Sequence, residues 1–201
     1  MFGKSVFSTV FSKFIEKQNK SILIIDACKQ DCSINLIFGK TVKEKFQKIS
    51  NNISYMCYED IDMLNNYLNF VNTIENLKKQ FDCILIDTSF DDYSNIYKNL
   101  TSISNDIIFL IEPNLIEVQK AKRILEVYQY DFEVPNEKIK IIFNKVNEFQ
   151  ISDSILKEIF DEYKILEYIR YQPEYSLYIN KNTRYEIKDD TYEMIYKKLF
   201  E

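Results

Sequence analysis

The chain has 201 residues, with 26 Lys and Arg against 31 Asp and Glu and no histidine, for a formal charge of -5. Without an imidazole it cannot build a histidine metal site, a Ser-His-Asp or Cys-His nucleophile system, or a histidine general base from its own residues. The acidic balance argues against nucleic-acid binding driven by overall charge.

A hydrophobic content of 46%, including 15 Tyr and 15 Phe, is enough to fill the core of one domain spanning residues 1–201. No window approaches the roughly 20 apolar residues of a membrane helix, and no leader pattern opens the chain, so a cytoplasmic location is expected. Cys28, Cys32, Cys57 and Cys83 fit a reduced compartment as buried thiols. A metal site on Cys28 and Cys32 lacks partners of zinc-ligand type at regular spacing.

In chain order, Val6, Phe7, Val10, Phe11, Phe14 and Ile15 form an apolar stripe at helical spacing, followed by a strand over 21–25. A second strand is predicted over 53–57. Ile61, Leu64, Leu68, Val71, Ile74 and Leu77 then form another helical stripe, and a strand follows over 83–86. Strands over 107–111, 139–143 and 165–169 alternate with helical segments at 114–130 and around Ile155 to Phe160, and Tyr192 to Leu199 close the chain as a short amphipathic helix. Lys40, Lys43, Lys45 and Lys48 read as the solvated face of one more helix. This alternation defines an α/β chain around a mostly parallel sheet.

Ligands of such sheets bind outside the carboxyl ends of the strands. Asp26, Asp87 and Asn144 each end an apolar run, so parallel strands would bring them to one edge. Gly3-Lys4-Ser5 stands immediately before the first helical stripe. A helix amino terminus with a lysine and a hydroxyl is suited to phosphate, and the hydroxyl with a strand-end carboxylate is suited to Mg²⁺. The plain alternatives stay open: Ser5 as a helix cap, the two aspartates as turn or cap residues, and Asn144 in a turn beside Lys145.

These residues resemble those of the MinD/ParA family of P-loop ATPases, the deviant Walker A group. Gly3-Lys4-Ser5 resembles the end of its Walker A motif, and the strand ending in Asp26-Ala27 resembles the family's next strand. Phe81 to Thr88 resembles Walker B. Asn105 to Pro113, Lys140 to Val146, and Ile165 to Asn180 resemble the later segments in the same order. Within the family the sequence most resembles the TadZ/CpaE-like and conjugation-associated branches.

The resemblance implies a three-layer P-loop NTPase-like sandwich whose central sheet is flanked by helices. It also implies ATP and Mg²⁺ as cofactors. Lys4 would contact the β and γ phosphates, Ser5 the metal, Asp87 the metal's outer shell, and Asp26 the attacking water, with Gly3 in the phosphate loop. Asn144 would contact adenine and Pro173 would wall the base. A homodimer closing around ATP, and a partner in a positioning, secretion or conjugation machine, are implied as well. A peripheral membrane contact through the last helix is the weaker reading, because Lys197 and Lys198 are followed by Phe200-Glu201 and a packed helix fits better. Of the crowded tyrosines between Tyr163 and Tyr196, core edge is the first reading and partner surface the second.

The departures from the family pattern fall on its catalytic parts. The first strand and the signature lysine of Walker A are missing, Cys28 stands in place of an acid, and Thr88-Ser89-Phe90 lacks a small switch. Loss of that internal strand would leave two strand edges exposed, so either the sequence is a piece of a longer protein or another segment fills the gap. Weak or lost ATP binding and negligible hydrolysis follow, and a non-enzymatic scaffold of the same fold is the alternative.

Overall fold

The computed structural model describes residues 3–27, 38, 46–57, 67–88, 95–173 and 190–201. The chain divides into two compact units, residues 1–92 with 173–188, and residues 93–172 with 189–201.

In the first unit, α1 (Gly3–Lys17) is followed by β1 (Ile22–Asp26), β2 (Phe46–Lys48), β3 (Ile53–Cys57), α2 (Tyr67–Leu77) and β4 (Cys83–Asp87). The strands form a sheet ordered β2-β3-β1-β4, in which only β2 is antiparallel. Every residue of β1 is buried, as its unbroken Ile-Leu run requires of a strand covered on both faces. α1 packs across β1, β3 and β4 with its apolar stripe inward, and Phe7 and Phe11 stack at 5.3 Å. Its buried Thr9 and Ser12 hydroxyls donate to carbonyls of their own helix, at 2.8 and 2.7 Å, so neither is left unsatisfied in the core.

Ser21 and Asp82 lock the entries of β1 and β4 together. The backbone N–H and the hydroxyl of Ser21 both donate to the Asp82 carboxylate at 2.8 Å, and the Asp82 N–H donates back to the hydroxyl at 3.0 Å. Those two bonds, with Lys20 nearby, hold the Asp82 carboxyl below its ordinary value. The clamp fixes a register in which Ile22 pairs with Cys83 and, four residues on, Asp26 pairs with Asp87.

The second unit contains α3 (Asn95–Ile103), β5 (Ile107–Ile111), α4 (Leu115–Glu126), a π-helical turn (Val127–Asp131), β6 (Ile139–Val146), α5 (Asp153–Ile159), β7 (Lys164–Arg170) and α6 (Asp190–Phe200). Its sheet is β5-β6-β7, all parallel. Ile139, Ile141, Ile142 and Phe143 are all fully buried, as expected of a central strand covered on both faces, and a register shift leaves Leu166 of β7 without a partner opposite Ile141 and Ile142. Phe143 packs against Phe160 and Tyr168 at ring distances of 5.7 and 5.2 Å. Asn114 caps α4 by accepting from the Glu117 N–H at 3.0 Å.

All six predicted strands are present within a residue or so at most ends, and β6 runs three residues further than expected. The expected single sheet instead forms two hydrogen-bonded sheets, one ending at β4 and the other at β5. Among the described residues no strand precedes α1 and none pairs with the outer side of either edge. Both edge strands are apolar yet only partly covered, with Cys83 to Ile86 all half-buried.

Three further expectations change. Lys48 belongs to strand β2, not to a helix, and Lys40, Lys43 and Lys45 lie outside the described residues. Cys57 is disulfide-bonded, which corrects the expectation of reduced thiols at that position. Cys83 matches it: burial, then the Asp82 charge, pushes its thiol up to about 12, so it remains protonated near neutrality. Cys28 and Cys32 lie outside the described residues.

The last helix is a packed one. Tyr192 and Ile195 are buried, α6 lies on β7, and the Lys198 ammonium donates to the Leu166 carbonyl and pairs with Glu167 at 3.1 Å. No helix among the described residues is long and apolar enough to cross a membrane.

Candidate functional site

In the first unit, the β1 and β4 ends and the start of α1 bring together Lys4, Ser5, Asp26 and Asp87. The parallel register sets Asp26 and Asp87 side by side on neighbouring strands, where adjacent chains run about 4.8 Å apart. Both aspartates are buried, Asp26 completely and Asp87 with 4% of its surface exposed. The Ala27 N–H donates to the Asp87 carbonyl at 2.8 Å and carries the pairing one residue beyond the strands.

Burial is the main influence on Asp87 and pushes its carboxyl up to about 6. The Ser5 hydroxyl donates to it and works in the opposite direction, the Asp26 charge raises it further, and the Lys4 ammonium and the Thr88 N–H lower it. Among the described residues, two buried carboxylates therefore face one ammonium and one hydroxyl.

Such a donor set fits a hard divalent cation, because Ser5, Asp26 and Asp87 present only oxygen. It also fits a phosphate, because Gly3, Lys4 and Ser5 open a fifteen-residue helix whose first N–H groups and dipole favour an anion. Cation and anion suit it better together than either does alone. A bare polyphosphate would meet two carboxylates, and a bare cation would leave Lys4 opposed.

Tyr55 is a member of this cluster that sequence reasoning missed. It stands on β3 opposite Ile24 and is 1% exposed, and its hydroxyl donates to Asp26 Oδ2 at 3.4 Å. The one sequence signal was a tyrosine inside an otherwise apolar strand, since a buried phenol needs a polar partner.

Asn144 lies in the second unit, half-buried near the end of β6 and paired with Ile169. Next to it Lys145 adopts a left-handed backbone (φ 59°) at a second register shift, and its ammonium pairs with Glu112 beyond β5. A non-glycine residue in that region costs about 1 kcal/mol or more, so the carboxyl end of β6 is a built kink. Pro173 is exposed. The first unit thus gathers Gly3, Lys4, Ser5, Asp26 and Asp87, and Asn144 has its place in the other unit's sheet.

These elements make an α/β fold of parallel or mostly parallel sheets with helices between the strands. Among solved structures, the chain is similar to the MinC:MinD cell division protein complex of Aquifex aeolicus, with a TM-score of 0.81 at 15% identity, covering 100% of this chain and 92% of that one. It is also similar to a ParA family ATPase from Chlorobium tepidum, at 0.79 and 14% over 97% and 92% of the two chains. The septum site-determining protein MinD of Pyrococcus horikoshii, complexed with Mg-ADP, gives 0.79 and 14% over 99% and 91%. The chain therefore has the MinD/ParA fold. No family model and no curated protein sequence matches it.

Proposed function

We propose that residues 1–201 act as one P-loop NTPase-like domain that binds ATP with Mg²⁺ and serves as a nucleotide-dependent positioning or assembly factor. The observation that carries this reading is the convergence of Lys4, Ser5, Asp26 and Asp87 at the start of α1. In it, Gly3, Lys4 and the α1 amino terminus hold phosphate, while Ser5 and Asp87 hold Mg²⁺, which offsets charge between the phosphates and the two carboxylates. Asp26, steadied by Tyr55, orients water. Asn144 and Pro173 take the adenine. The MinD neighbours in complexes with MinC and with Mg-ADP support the choice of nucleotide and of protein partners.

Hydrolysis is weak or lost, because Cys28 stands where the family has a second acid and Thr88-Ser89-Phe90 lacks its small switch. The protein works in the cytoplasm as a homodimer within a positioning, secretion or conjugation machine. The alternative is a scaffold that binds partners without nucleotide. The raised Asp87 carboxyl favours it, since a group that resists ionisation is a poor metal ligand.

Steady-state phosphate release with MgATP, followed together with molecular size, tests this reading. A size shift to a dimer with phosphate release at background is expected. Turnover at the rate of an ordinary positioning ATPase would overturn the loss of hydrolysis, and no size change at saturating MgATP would favour the scaffold.

A further inference from the structure

Cys57 ends β3 in register with Asp26 of β1, and Asp26 is in register with Asp87 of β4, so a cysteine and two aspartates form one row across three adjacent strands. Neighbouring strands run about 4.8 Å apart, and residues in register, or two apart on one strand, share a face of the sheet. Tyr55, Cys57, Asp26 and Asp87 therefore share one face, and all four are buried.

Cys57 is disulfide-bonded and Cys83 is a free thiol. Of the four cysteines in the sequence this leaves Cys28 and Cys32, two and six residues after Asp26, as the source of the second sulfur. The bond thus joins the end of β3 to the chain that leaves β1 just past Asp26. The fold has little need of it as a staple, because β3 is already paired to β1 along its whole length and to β2 on its other side, and four of its five residues are buried. Cys83 does not compete for the pairing. It starts β4 at the other end of the sheet, and burial, then the Asp82 charge, pushes its thiol up to about 12, where it does not exchange.

We propose that the Cys57 disulfide is a redox switch on the Asp26 side of the site, closed by oxidation into a form that holds nucleotide and opened by a cellular dithiol into one that holds it weakly. The effect on nucleotide rests on the ATP reading above, and the effect on the strand ends does not. The cluster described here belongs to the closed form. In it the Tyr55 hydroxyl reaches Asp26 Oδ2 at 3.4 Å, near the limit of a hydrogen bond, so a small displacement of the β3 end is enough to lose it. A cross-link two residues further along the same strand limits that displacement. Opening it returns to the strand end a freedom that nucleotide must then remove, at a cost in affinity. In a reducing compartment, where disulfides persist only transiently, such a bond senses oxidant. Opening balances as thiol–disulfide exchange. One thiolate of the dithiol attacks the protein disulfide and forms a mixed disulfide, its second thiol displaces the remaining protein sulfur, and two protein thiols and one oxidised dithiol result. Closing is the reverse exchange, with a small-molecule disulfide as oxidant.

The test uses the full chain treated with dithiothreitol or with diamide, as wild type and as Cys57→Ser, Cys28→Ser and Cys32→Ser. Alkylation in denaturant should label two of the four cysteines in the oxidised wild type and all four after reduction. Without nucleotide, amide hydrogen exchange at Tyr55 to Cys57 and at Asp26 should be faster in the reduced form. A fluorescent ATP analogue with Mg²⁺ should bind about tenfold more weakly after reduction, as loss of a preorganised site implies. Cys57→Ser and one of the other two variants should match reduced wild type under both conditions, and the remaining variant should keep the wild-type response. Reduced wild type carries the comparison should a variant fold poorly. Four labelled cysteines in the oxidised protein, a bond that dithiothreitol does not open in the folded chain, or exchange unchanged on opening would overturn the proposal. So would equal nucleotide binding by the two forms. Faster exchange with no nucleotide bound by either form would instead remove the ATP reading and support the switch at the strand ends alone.

Discussion

Asp87→Asn is expected to stabilise the protein at pH 8 by about 3 kcal/mol. The carboxyl is pushed from 3.8 up to about 6, and each pH unit of such a shift corresponds to about 1.4 kcal/mol. The folded state therefore holds this proton more tightly than the unfolded chain. Its stabilising contribution is complete below about pH 4 and is lost as the pH rises through 6, so at pH 8 the fold carries the cost of a buried charge. Asparagine keeps the shape and can still accept from Ser5, and it has no charge to desolvate. Thermal melts across pH 4–8 check this. The variant should lose the fall in stability between pH 4 and 6 that Asp87 contributes, and should melt roughly 6–12 °C higher at pH 8, as expected for a chain of this length. An unchanged or lower melting temperature at pH 8 would mean that a cation or ammonium already compensates Asp87 in the folded protein. Retention of so costly a group is what a site held for a ligand, and not for stability, would show.

Phe143→Ala is expected to have an effect of similar size and opposite sign. Phe143 is completely buried in the central strand of the second sheet, between Phe160 and Tyr168. Truncating a ring there loses its burial and leaves a cavity, at a cost of about 3–5 kcal/mol. Denaturant titration reads the loss directly. Phe149→Ala, in the same unit but at an exposed position, should change stability by less than about 0.5 kcal/mol. If Phe143→Ala lowered stability by less than 1 kcal/mol, the β5-β6-β7 core would not be packed as described.

The strands were legible because a run such as Ile22 to Ile25 can be buried on both faces only inside a sheet, and because each run stops at a polar residue. Strand β2 escaped notice since Phe46-Gln47-Lys48 is short, half polar and paired at an edge by its antiparallel neighbour, features that mark no strand by periodicity. Helix α3 was likewise hidden in Asn95 to Ile103, where a nine-residue amphipathic stretch lies among polar residues.

Of the candidate site, Lys4, Ser5, Asp26 and Asp87 could be read because each sits at an element's end, a place the chain marks by changing composition. Tyr55 could not, for its hydroxyl meets Asp26 across two strands and 29 residues of sequence.

The measurement that tests the central claim most directly is titration of the purified chain with a fluorescent ATP analogue, with Mg²⁺ and with EDTA, for the wild type and Lys4→Ala. The account predicts weak, saturable binding that needs Mg²⁺, because the phosphates would otherwise face Asp26 and Asp87, and that is lost in Lys4→Ala. Equal binding by the variant, binding that survives EDTA, or no binding by the wild type at any Mg²⁺ concentration would contradict it.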